Sequence, residues 1–443
     1  MAELASMPKY EAYKESGFEW IGEVPDSWEL TKLGSCLFPV SIKNCPDLPL
    51  LSITRELGVI ERDIENQDSN HNFIPDDLSG YKKLEKGQFG MNKMKAWQGS
   101  YGVSQYTGIV SPAYFVFNFT KSINPEFFNW AIRSKLYVSY FGSASDGVRV
   151  GQWDLSKDRM KAIPFILPSE KEQTAIANFL DIKTAQIDEA IAIKEKQIEL
   201  LKERKQIIIQ QAVTQGLNPN APMKDSGVDW IGEIPEHWAY EPIKHSLKGI
   251  IDCEHKTAPF VDETDYFVVR TTNVKGGKLQ MAGAKYTHEK GFTEWTRRGV
   301  PKVGDVLLTR EAPAGEACLV PDNVKLCLGQ RMVWLKIDRE RLIPEFAISL
   351  IYSSIGRTYI DFLSSGSTVL HFNMADINNI PVVLPPLKEQ QELVEFIRNE
   401  SGKVDDGIEI QIQQIEKLKE YKTTLINSAV TGKIKVPELM ADR

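Results

Sequence analysis

The chain has 443 residues, of which 42% are apolar and 26% are charged, and its 53 basic and 60 acidic residues give a net charge of -7. These values exclude collagen-like, mucin-like and fully disordered classes and predict two to four domains. No stretch approaches the ~18 consecutive apolar residues of a membrane span. We expect a cytoplasmic protein, because the first residues lack a secretory signal pattern and the five cysteines include no Cys-x-x-Cys pair.

The first predicted elements belong to an internal repeat. Residues 14–28 (KESGFEWIGEVPDSW) match residues 224–238 (KDSGVDWIGEIPEHW) at nine of fifteen positions, with an offset of 210. A second block, residues 167–214, matches residues 384–431 without gaps at twenty of 48 positions. Two matching blocks in the same order indicate a duplicated unit, which is used twice along the chain.

The second block predicts a long helix in each copy. Apolar residues recur at alternating spacings of four and three, which is typical of a coiled-coil seam. The predicted seam residues are Ile187, Ile191, Ile198, Leu201 and Ile208 in the first copy and Val404, Ile408, Ile415, Leu418 and Leu425 in the second. The run 183–214 has no Gly or Pro and would span ~48 Å as a helix. The alternative is a helix packed only against its own domain.

Duplicated halves tend to pack about a two-fold axis, so we expect the two helices to be antiparallel. The same symmetry predicts that the end of the second helix, Thr431, lies within ~30 Å of Lys14, so that the chain nearly closes on itself.

The repeated blocks alternate with two diverged segments of nearly equal length. We therefore divide the chain into an N-terminal arm (1–29), a first diverged domain (30–166), a central repeat with a long spacer helix (167–216), a linker with the second WIGE-x-P motif (217–239), a second diverged domain (240–383) and a C-terminal repeat with its spacer helix (384–443). The predicted fold class is α+β: two mixed α/β domains joined by two long antiparallel coiled-coil helices, with a pseudo-two-fold internal repeat.

The charge is unevenly distributed over these parts. Residues 30–163 carry 16 basic and 13 acidic residues and residues 240–380 carry 18 and 17, whereas the arm and the helical parts are acidic. Basic, amide and aromatic side chains suit DNA phosphates and base edges. The candidate DNA-binding residues are Lys93, Lys95, Trp97, Gln98, Tyr101, Gln105, Arg149, Gln152 and Lys157 in the first domain and Arg270, Asn273, Arg297, Arg298, Arg310, Arg331, Ser367, Thr368, His371 and Asn373 in the second. Solvated faces and plain loop connections are the alternative interpretation.

The sequence contains no recognisable catalytic or metal-binding motif. It has no Walker A run and no G-x-G-x-x-G, G-x-S-x-G or H-E-x-x-H pattern. His245, Cys253 and His255 lie close together but match no zinc spacing. We therefore expect a binding protein that is not an enzyme, with no catalytic residues and no metal ligands.

The order of these motifs resembles the specificity subunit of type I restriction-modification systems, over nearly the whole chain. The motifs that carry the resemblance are WIGE-x-P-x-x-W (20–28 and 230–238), I-P-x-x-L-P-x-x-x-E-Q (163–173 and 380–390) and a long helix that ends in AVT (212–214 and 429–431).

The resemblance implies that the two diverged domains are target recognition domains, each reading one half of a bipartite, asymmetric sequence in double-stranded DNA. It implies that the helices set the spacing and dock two methyltransferase subunits, and that motor-nuclease subunits join the full complex. S-adenosylmethionine, ATP and Mg would be held by those partners, with no cofactor in this chain and no contact with a membrane. Two alternatives stay open: a single-chain DNA methyltransferase or nuclease with built-in specificity, and a duplicated protein-interaction scaffold.

Overall fold

The computed structural model describes residues 6–63, 74–149, 152–364 and 372–437. The chain divides into two compact units, one formed by Met1–Glu195 with Ile412–Arg443 and the other by Lys196–Gln411. Each unit therefore contains one diverged segment and part of each long helix. Among the described residues, no helix is long and apolar enough to cross a membrane.

The first unit combines short strand pairs, one larger sheet and several helices. Its elements are β1 (Tyr13–Glu15), β2 (Glu23–Pro25), β3 (Glu29–Lys32), α1 (Leu33–Cys36), β4 (Leu37–Val40), β5 (Leu51–Thr54), β6 (Gly58–Glu61), β7 (Lys82–Leu84), β8 (Phe89–Met91), the 3-10 turn Ala96–Gln98, β9 (Tyr101–Val103), β10 (Gly108–Val110), β11 (Phe115–Phe119), α2 (Pro125–Ile132), α3 (Lys135–Ser143), β12 (Ser145–Arg149), β13 (Gln152–Leu155), α4 (Lys157–Ala162), β14 (Pro164–Leu167) and the start of α5 (Glu170–Gln215).

The second unit repeats this order with a larger insert. Its elements are β15 (Met223–Asp225), β16 (Glu233–Pro235), β17 (Ala239–Pro242), the 3-10 turn Ile243–Ser246, β18 (Leu247–Asp252), β19 (Phe260–Val261), β20 (Tyr266–Val269), the 3-10 turn Thr271–Asn273, β21 (Val274–Lys275), β22 (Lys278–Leu279), β23 (Tyr286–Thr287), α6 (Glu289–Trp295), β24 (Val306–Thr309), β25 (Ala317–Leu319), β26 (Lys325–Leu328), β27 (Met332–Ile337), α7 (Pro344–Tyr352), α8 (Ser354–Ser364), α9 (Met374–Asn378), β28 (Pro381–Leu384) and the start of α10 (Leu387–Val430).

The WIGE-x-P motif forms the same small hairpin in both units. Lys14 pairs with Val24 in the antiparallel pair β1–β2, and Lys224 pairs with Ile234 in β15–β16. The glycine of each motif has a φ of 68°, a left-handed conformation that glycine adopts without steric cost. The shared glycine of the motif is thus a residue that the turn requires.

The two diverged segments share one core sheet despite their different sequences. Four antiparallel strands lie in the order β4-β11-β8-β9 in the first unit and β18-β27-β24-β25 in the second. A helix pair follows in each case, α2–α3 or α7–α8, and it packs on a buried apolar core that includes Phe89 and Phe128 in one unit and Leu335 and Phe346 in the other. The duplication therefore extends through the segments in which the sequence shows little similarity.

The two units differ in the segment that connects the first and second strands of this sheet in chain order, which are β4 and β8 in the first unit and β18 and β24 in the second. In the first unit this segment forms the hairpin β5–β6 and supplies β7, which pairs with β10. In the second unit it contributes to another four-stranded sheet, in the order β19-β23-β20-β26, and forms the hairpin β21–β22 and helix α6. Each unit thus carries its own insert on a common frame.

A buried glutamine joins each long helix to its own domain. Gln173 accepts a hydrogen bond from the backbone N–H of Asn124 at 2.8 Å, and Gln390 accepts one from that of Ile343 at 2.8 Å. Both side chains are fully buried, and both donate to the backbone at the start of their own helix. The two donors, Asn124 and Ile343, are the N-cap residues of α2 and α7, at helix starts where N–H groups lack intrahelical partners. This joint gives the glutamine of the repeated E-Q pair the same role in both repeats.

The two long helices run antiparallel within each unit. In the first unit, Lys422 of α10 donates to both carboxylate oxygens of Asp188 on α5, at 2.7 and 2.6 Å. In the second unit, Lys205 of α5 donates to both oxygens of Asp405 on α10, at 2.7 Å each. All ten predicted seam residues are buried or half-buried. The antiparallel arrangement is therefore as predicted.

Helix α5 is longer than the predicted run 183–214. It has 46 residues, which correspond to about 69 Å. Its first turns were missed because they belong to a globular core: Ala175, Ile176, Phe179 and Leu180 are buried in the first unit. The coiled-coil pattern indicates only the part that packs on the facing helix.

The end of α10 returns to the N-terminal arm, as predicted. The backbone N–H of Lys435 donates to the carbonyl of Pro8 at 2.7 Å, and the Tyr13 hydroxyl donates to the carbonyl of Gly432 at 3.1 Å. Lys433 reaches the carbonyl of Glu23 at 2.6 Å. Thr431 and Lys14 therefore lie in one local cluster.

Candidate nucleic-acid interface

In the first unit, two contacts hold the hairpin β12–β13 against the connection between β8 and β9. The ammonium of Lys93 lies 3.0 Å from a carboxylate oxygen of Asp154, and the indoles of Trp97 and Trp153 are stacked with centroids 5.3 Å apart. Both tryptophans are only half-buried. The candidates Lys93 and Trp97 thus position this hairpin at the protein surface.

The candidate Lys157 lies close to two lysines that the sequence did not single out, Lys43 and Lys82. Lys157 lies 4.8 Å and Lys82 6.0 Å from the centroid of the Phe115 ring. Burial and the charges of Lys43 and Lys157 lower the pKa of Lys82. Positive charge is therefore concentrated here, although Lys43 and Lys82 are far from Lys157 in sequence. Such a patch suits a phosphate backbone.

The remaining candidates of the first unit divide by exposure. Lys95 and Gln105 are exposed and Gln98 is half-buried. The prediction for Tyr101 is wrong, because its ring is fully buried in the core and burial raises the pKa of its hydroxyl. Arg149 and Gln152 lie in β12 and β13, but their side chains are outside the described part of the structure, so their role stays a prediction.

In the second unit, Arg310 and Asn273 are interior residues, so the prediction that they contact DNA is wrong. The Arg310 side chain is 7% exposed, and its guanidinium lies 2.8 Å from both carboxylate oxygens of Asp252. The Asn273 side chain is fully buried and accepts a hydrogen bond from the backbone N–H of Arg270 at 3.1 Å. Both side chains stabilise the domain from inside.

Asp252 is charged in this setting. Burial alone raises the pKa of a carboxyl group, but the hydrogen bond from His255 and the charge of Arg310 outweigh it and hold the pKa of Asp252 below its usual value. The pair is therefore an ion pair, in which Arg310 is buried and the Asp252 side chain is 20% exposed.

Asp252, Cys253 and His255 form a compact group that could suggest a metal site, with ligand atoms within 4.8 Å of one another. However, Nε2 of His255 lies 2.9 Å from Asp252, and Nδ1 lies 3.8 Å from the Cys253 sulfur. Asp252 and Cys253 therefore contact different nitrogens of the imidazole ring. The Cys253 thiol donates to the carbonyl of Gln330, and burial raises its pKa. With Arg310 on Asp252, this group is a hydrogen-bond network and does not fit a metal.

The remaining arginines of the second unit are each held by a local acceptor. Arg297 donates through Nη2 to Glu254 at 3.2 Å, and Arg298 donates through Nη1 to the carbonyl of Asp252 at 3.0 Å. Arg270 donates through Nη2 to the carbonyl of Gly283 at 2.7 Å. Arg297 also donates through Nε to the carbonyl of Glu294 at 3.2 Å. In the described part of the chain, Arg331 is the one of these four whose contact uses Nε and no terminal amino group; its Nε lies 2.7 Å from Glu311.

The segment that contains the last four candidates of the second domain is only partly described. Ser367, Thr368 and His371 lie outside the described residues, so their DNA contact stays a prediction. Asn373 is exposed and caps α9, accepting a hydrogen bond from the backbone N–H of Asp376 at 2.9 Å. Its side chain therefore has a local structural role.

Comparison with known proteins gives a consistent result. Residues 252–420 match the family model of the type I restriction modification DNA specificity domain. The chain is 24% identical over 450 residues to the type I restriction enzyme MjaVIII specificity subunit of Methanocaldococcus jannaschii, covering 96% of this chain and 98% of that protein. It is 23% identical to the EcoBI specificity subunit of Escherichia coli, covering 70% and 66%.

Two solved structures share the fold. One is a chain from a study of complex assembly and conformational transition of the type I R-M system, with a TM-score of 0.68, 15% identity and coverage of 92% of this chain and 98% of that one. The other is the HsdS subunit from Thermoanaerobacter tengcongensis, with a TM-score of 0.54, 16% identity and coverage of 93% and 98%. The predicted fold class is thereby confirmed.

Proposed function

Because this chain belongs to the DNA specificity family of type I restriction-modification systems, we propose that it is the sequence-reading, non-catalytic subunit of such a complex. The target recognition domains are the segments 30–166 and 240–383. Each reads one half of a bipartite, asymmetric target in double-stranded DNA. Helices α5 and α10 set the spacing between the two halves.

The observation that carries this proposal is the repeated sheet with unlike inserts. Strands β4-β11-β8-β9 and β18-β27-β24-β25 form the same frame. The insert between β4 and β8 differs in topology from the insert between β18 and β24. Two equal frames support two equivalent functions, and unlike inserts support two different specificities. A duplicated scaffold for a single protein partner would not require this divergence.

The partners follow from the same family. We expect two methyltransferase subunits to dock on the helical repeats, and motor-nuclease subunits to join the full complex. Helix α5 offers half-exposed apolar residues at a seven-residue spacing, Ile193, Leu200 and Ile207, which form a stripe away from the seam. S-adenosylmethionine, ATP and Mg are then bound by those partners. A single-chain methyltransferase or nuclease is not favoured, since the relatives are specificity subunits.

We propose that the protein acts in the cytoplasm. The substrate is the DNA of the cell or of an invader, and all five cysteines are free thiols, as in a reducing compartment.

The proposal is tested by reconstitution with labelled S-adenosylmethionine and DNA. We expect methyl transfer only when the chain is combined with its methyltransferase partner. Methyl transfer by the chain alone would favour the single-chain enzyme. Failure of the assembled complex to protect any DNA sequence from nuclease would favour the protein-interaction scaffold.

A further inference from the structure

The turn between β26 and β27 of the second unit is fixed at its backbone from three sides. The N–H of Gly329 donates to the carbonyl at the end of β20 at 2.7 Å. The Cys253 thiol donates to the carbonyl of Gln330 at 2.9 Å, and the N–H of Arg310 donates to the carbonyl of Arg331 at 3.0 Å. Two of these bonds come from the buried network around Asp252. The turn is therefore held rigidly by the core beneath it.

The two side chains on this turn are also oriented by neighbours. The Thr257 hydroxyl donates to Oε1 of Gln330 at 2.9 Å, and a carboxylate oxygen of Glu311 lies 2.7 Å from Nε of Arg331. Among the residues that the structure describes, neither Nε2 of Gln330 nor the terminal amino groups of Arg331 have a protein partner. A carbonyl oxygen has two lone pairs, so Oε1 of Gln330 can accept a second bond.

This arrangement distinguishes Arg331 from the candidates Arg297 and Arg298. Each of those two donates through a terminal amino group to a protein acceptor, whereas Arg331 contacts Glu311 through Nε. Its fork of terminal amino groups is thus aimed by Glu311 and still available. The Arg331 side chain is 45% exposed, so a large ligand can reach it.

The turn forms one wall of a cavity of about 250 Å³. Arg270 and Phe260 contribute to the same cavity, and the Phe260 ring is 41% exposed. Cationic, amide and aromatic groups thus surround a concave surface, which suits the edge of a nucleic-acid base pair better than a flat phosphate contact.

We propose that Gln330 and Arg331 read two neighbouring base pairs of the half-site bound by the second unit; the inference rests on the proposed function. Arg331 donates two hydrogen bonds to O6 and N7 of a guanine, and Gln330 exchanges two with N6 and N7 of an adenine. Consecutive Cα atoms are about 3.8 Å apart, close to the rise of about 3.4 Å per base pair. The half-site therefore contains a guanine beside an adenine.

The rigid turn is the physical reason for specificity at this place. A side chain that is already oriented loses little conformational freedom on binding, so a mismatched base is not compensated by reorientation. Thr257 and Glu311 act as positioning residues for the two base-reading side chains.

The test uses the full complex with its methyltransferase partner, in cells whose methylated sites are mapped by sequencing. We expect Arg331→Ala and Arg331→Lys to lower the preference for guanine over the other bases in one half-site by roughly 5- to 150-fold. The sequence of the other half-site should be unchanged. Gln330→Ala should relax the adjacent adenine in the same way. Arg331→Lys keeps the charge, so a mere phosphate contact predicts an unaltered motif for this variant.

Arg341→Ala is the matched control. Arg341 is 46% exposed and pairs with Glu241 at 2.8 Å, so its loss changes charge equally but should leave the motif intact. If Arg331→Ala abolishes methylation, the inference is tested by DNA binding instead. The affinity of the purified complex is measured for four duplexes, each with a different base at the guanine position. Lost preference for guanine supports the inference, and an equal loss for all four bases overturns it.

The outcomes separate this inference from the proposed function. If the wild-type complex methylates a bipartite motif whose second half lacks a guanine, or if Arg331→Lys keeps full stringency, the inference is overturned and the proposed function stands. If the wild-type complex yields no bipartite motif, the proposed function itself fails.

Discussion

The ammonium group of Lys205 on α5 lies 2.7 Å from both carboxylate oxygens of Asp405 on α10, in the second unit. The first unit contains the duplicate of this pair, Lys422 with Asp188. Both lysines are at seam positions, and their carboxylate partners lie on the facing helix. Each pair fixes the antiparallel register of the two helices within its own unit, because a shift by one residue would separate the charges.

The Lys205–Asp405 pair should contribute measurably but modestly to stability. We expect Asp405→Ala to lower the free energy of unfolding by about 0.2–1 kcal/mol, because the pair is partly exposed. Asp405→Lys should cost more through repulsion, and Lys205→Asp combined with Asp405→Lys should recover part of the loss. A double-mutant cycle by urea denaturation measures the coupling. A coupling energy of zero would contradict the register role, and the exposed pair Lys196–Glu199 provides the control.

Breaking the pair of Arg310 and Asp252 should be more costly. We expect Arg310→Met to lower the free energy of unfolding by about 1–3 kcal/mol, because the Asp252 carboxylate, which is only 20% exposed, loses its charge partner. Arg341→Ala, at the exposed pair with Glu241, should cost at most about 1 kcal/mol. Urea denaturation of both variants measures the difference. Equal costs would show that Arg310 is not structural.

The same pair predicts a dependence of stability on pH. The pKa of Asp252 is lower in the folded protein than in the unfolded chain, so its contribution is complete above the unfolded value of about 3.9 and is lost as the pH falls through the folded value. We expect the wild-type protein to lose more stability than Asp252→Asn between pH 5.5 and pH 3. Parallel loss in both proteins, measured by urea denaturation, would contradict this assignment.

Two equivalent tryptophans should respond differently to the same substitution. Trp28 donates through Nε1 to Glu172 at 3.1 Å, whereas Nε1 of Trp238 is buried without a partner among the described residues. The difference arises at the preceding position, where His237 binds Glu389. We expect Trp28→Phe to cost about 1.5–3 kcal/mol more than Trp238→Phe, because it loses a hydrogen bond to a charged group. The melting temperatures of the two variants are measured by thermal denaturation. Equal decreases in melting temperature would contradict this prediction.

The helical part of the fold was predictable because its signal is local. The seam recurs every three to four residues, and Lys205 and Lys422 occupy the same register position in both copies. The start of α5 was not predictable, because residues such as Phe179 pack on a domain and not on the facing helix.

The pairing of the strands in the common sheet could not be predicted from the sequence. Strands such as β8 and β24 are only three and four residues long, and their pairing with β11 and β27 joins distant parts of the chain. Short apolar runs of this kind carry no periodic signal that identifies a partner strand.

The candidate site was predictable in type but not in detail. Arg310 matched the composition of a DNA-binding residue, yet its partner Asp252 is 58 residues away and buries it. Tyr101 was predicted to contact DNA because it follows the basic residues Lys93 and Lys95, but in strand β9 its side chain points into the core. Lys43 and Lys82 were missed because only the folded chain brings them to Lys157.

The central claim, two independent readers on one duplicated frame, is tested most directly by domain replacement. Residues 30–163 are replaced with the equivalent domain of a relative of different specificity, and the methylated motif of the resulting complex is determined by sequencing. We predict that one half-site changes to that of the relative while the other half-site stays the same. A change in both half-sites, or in neither, would contradict the account.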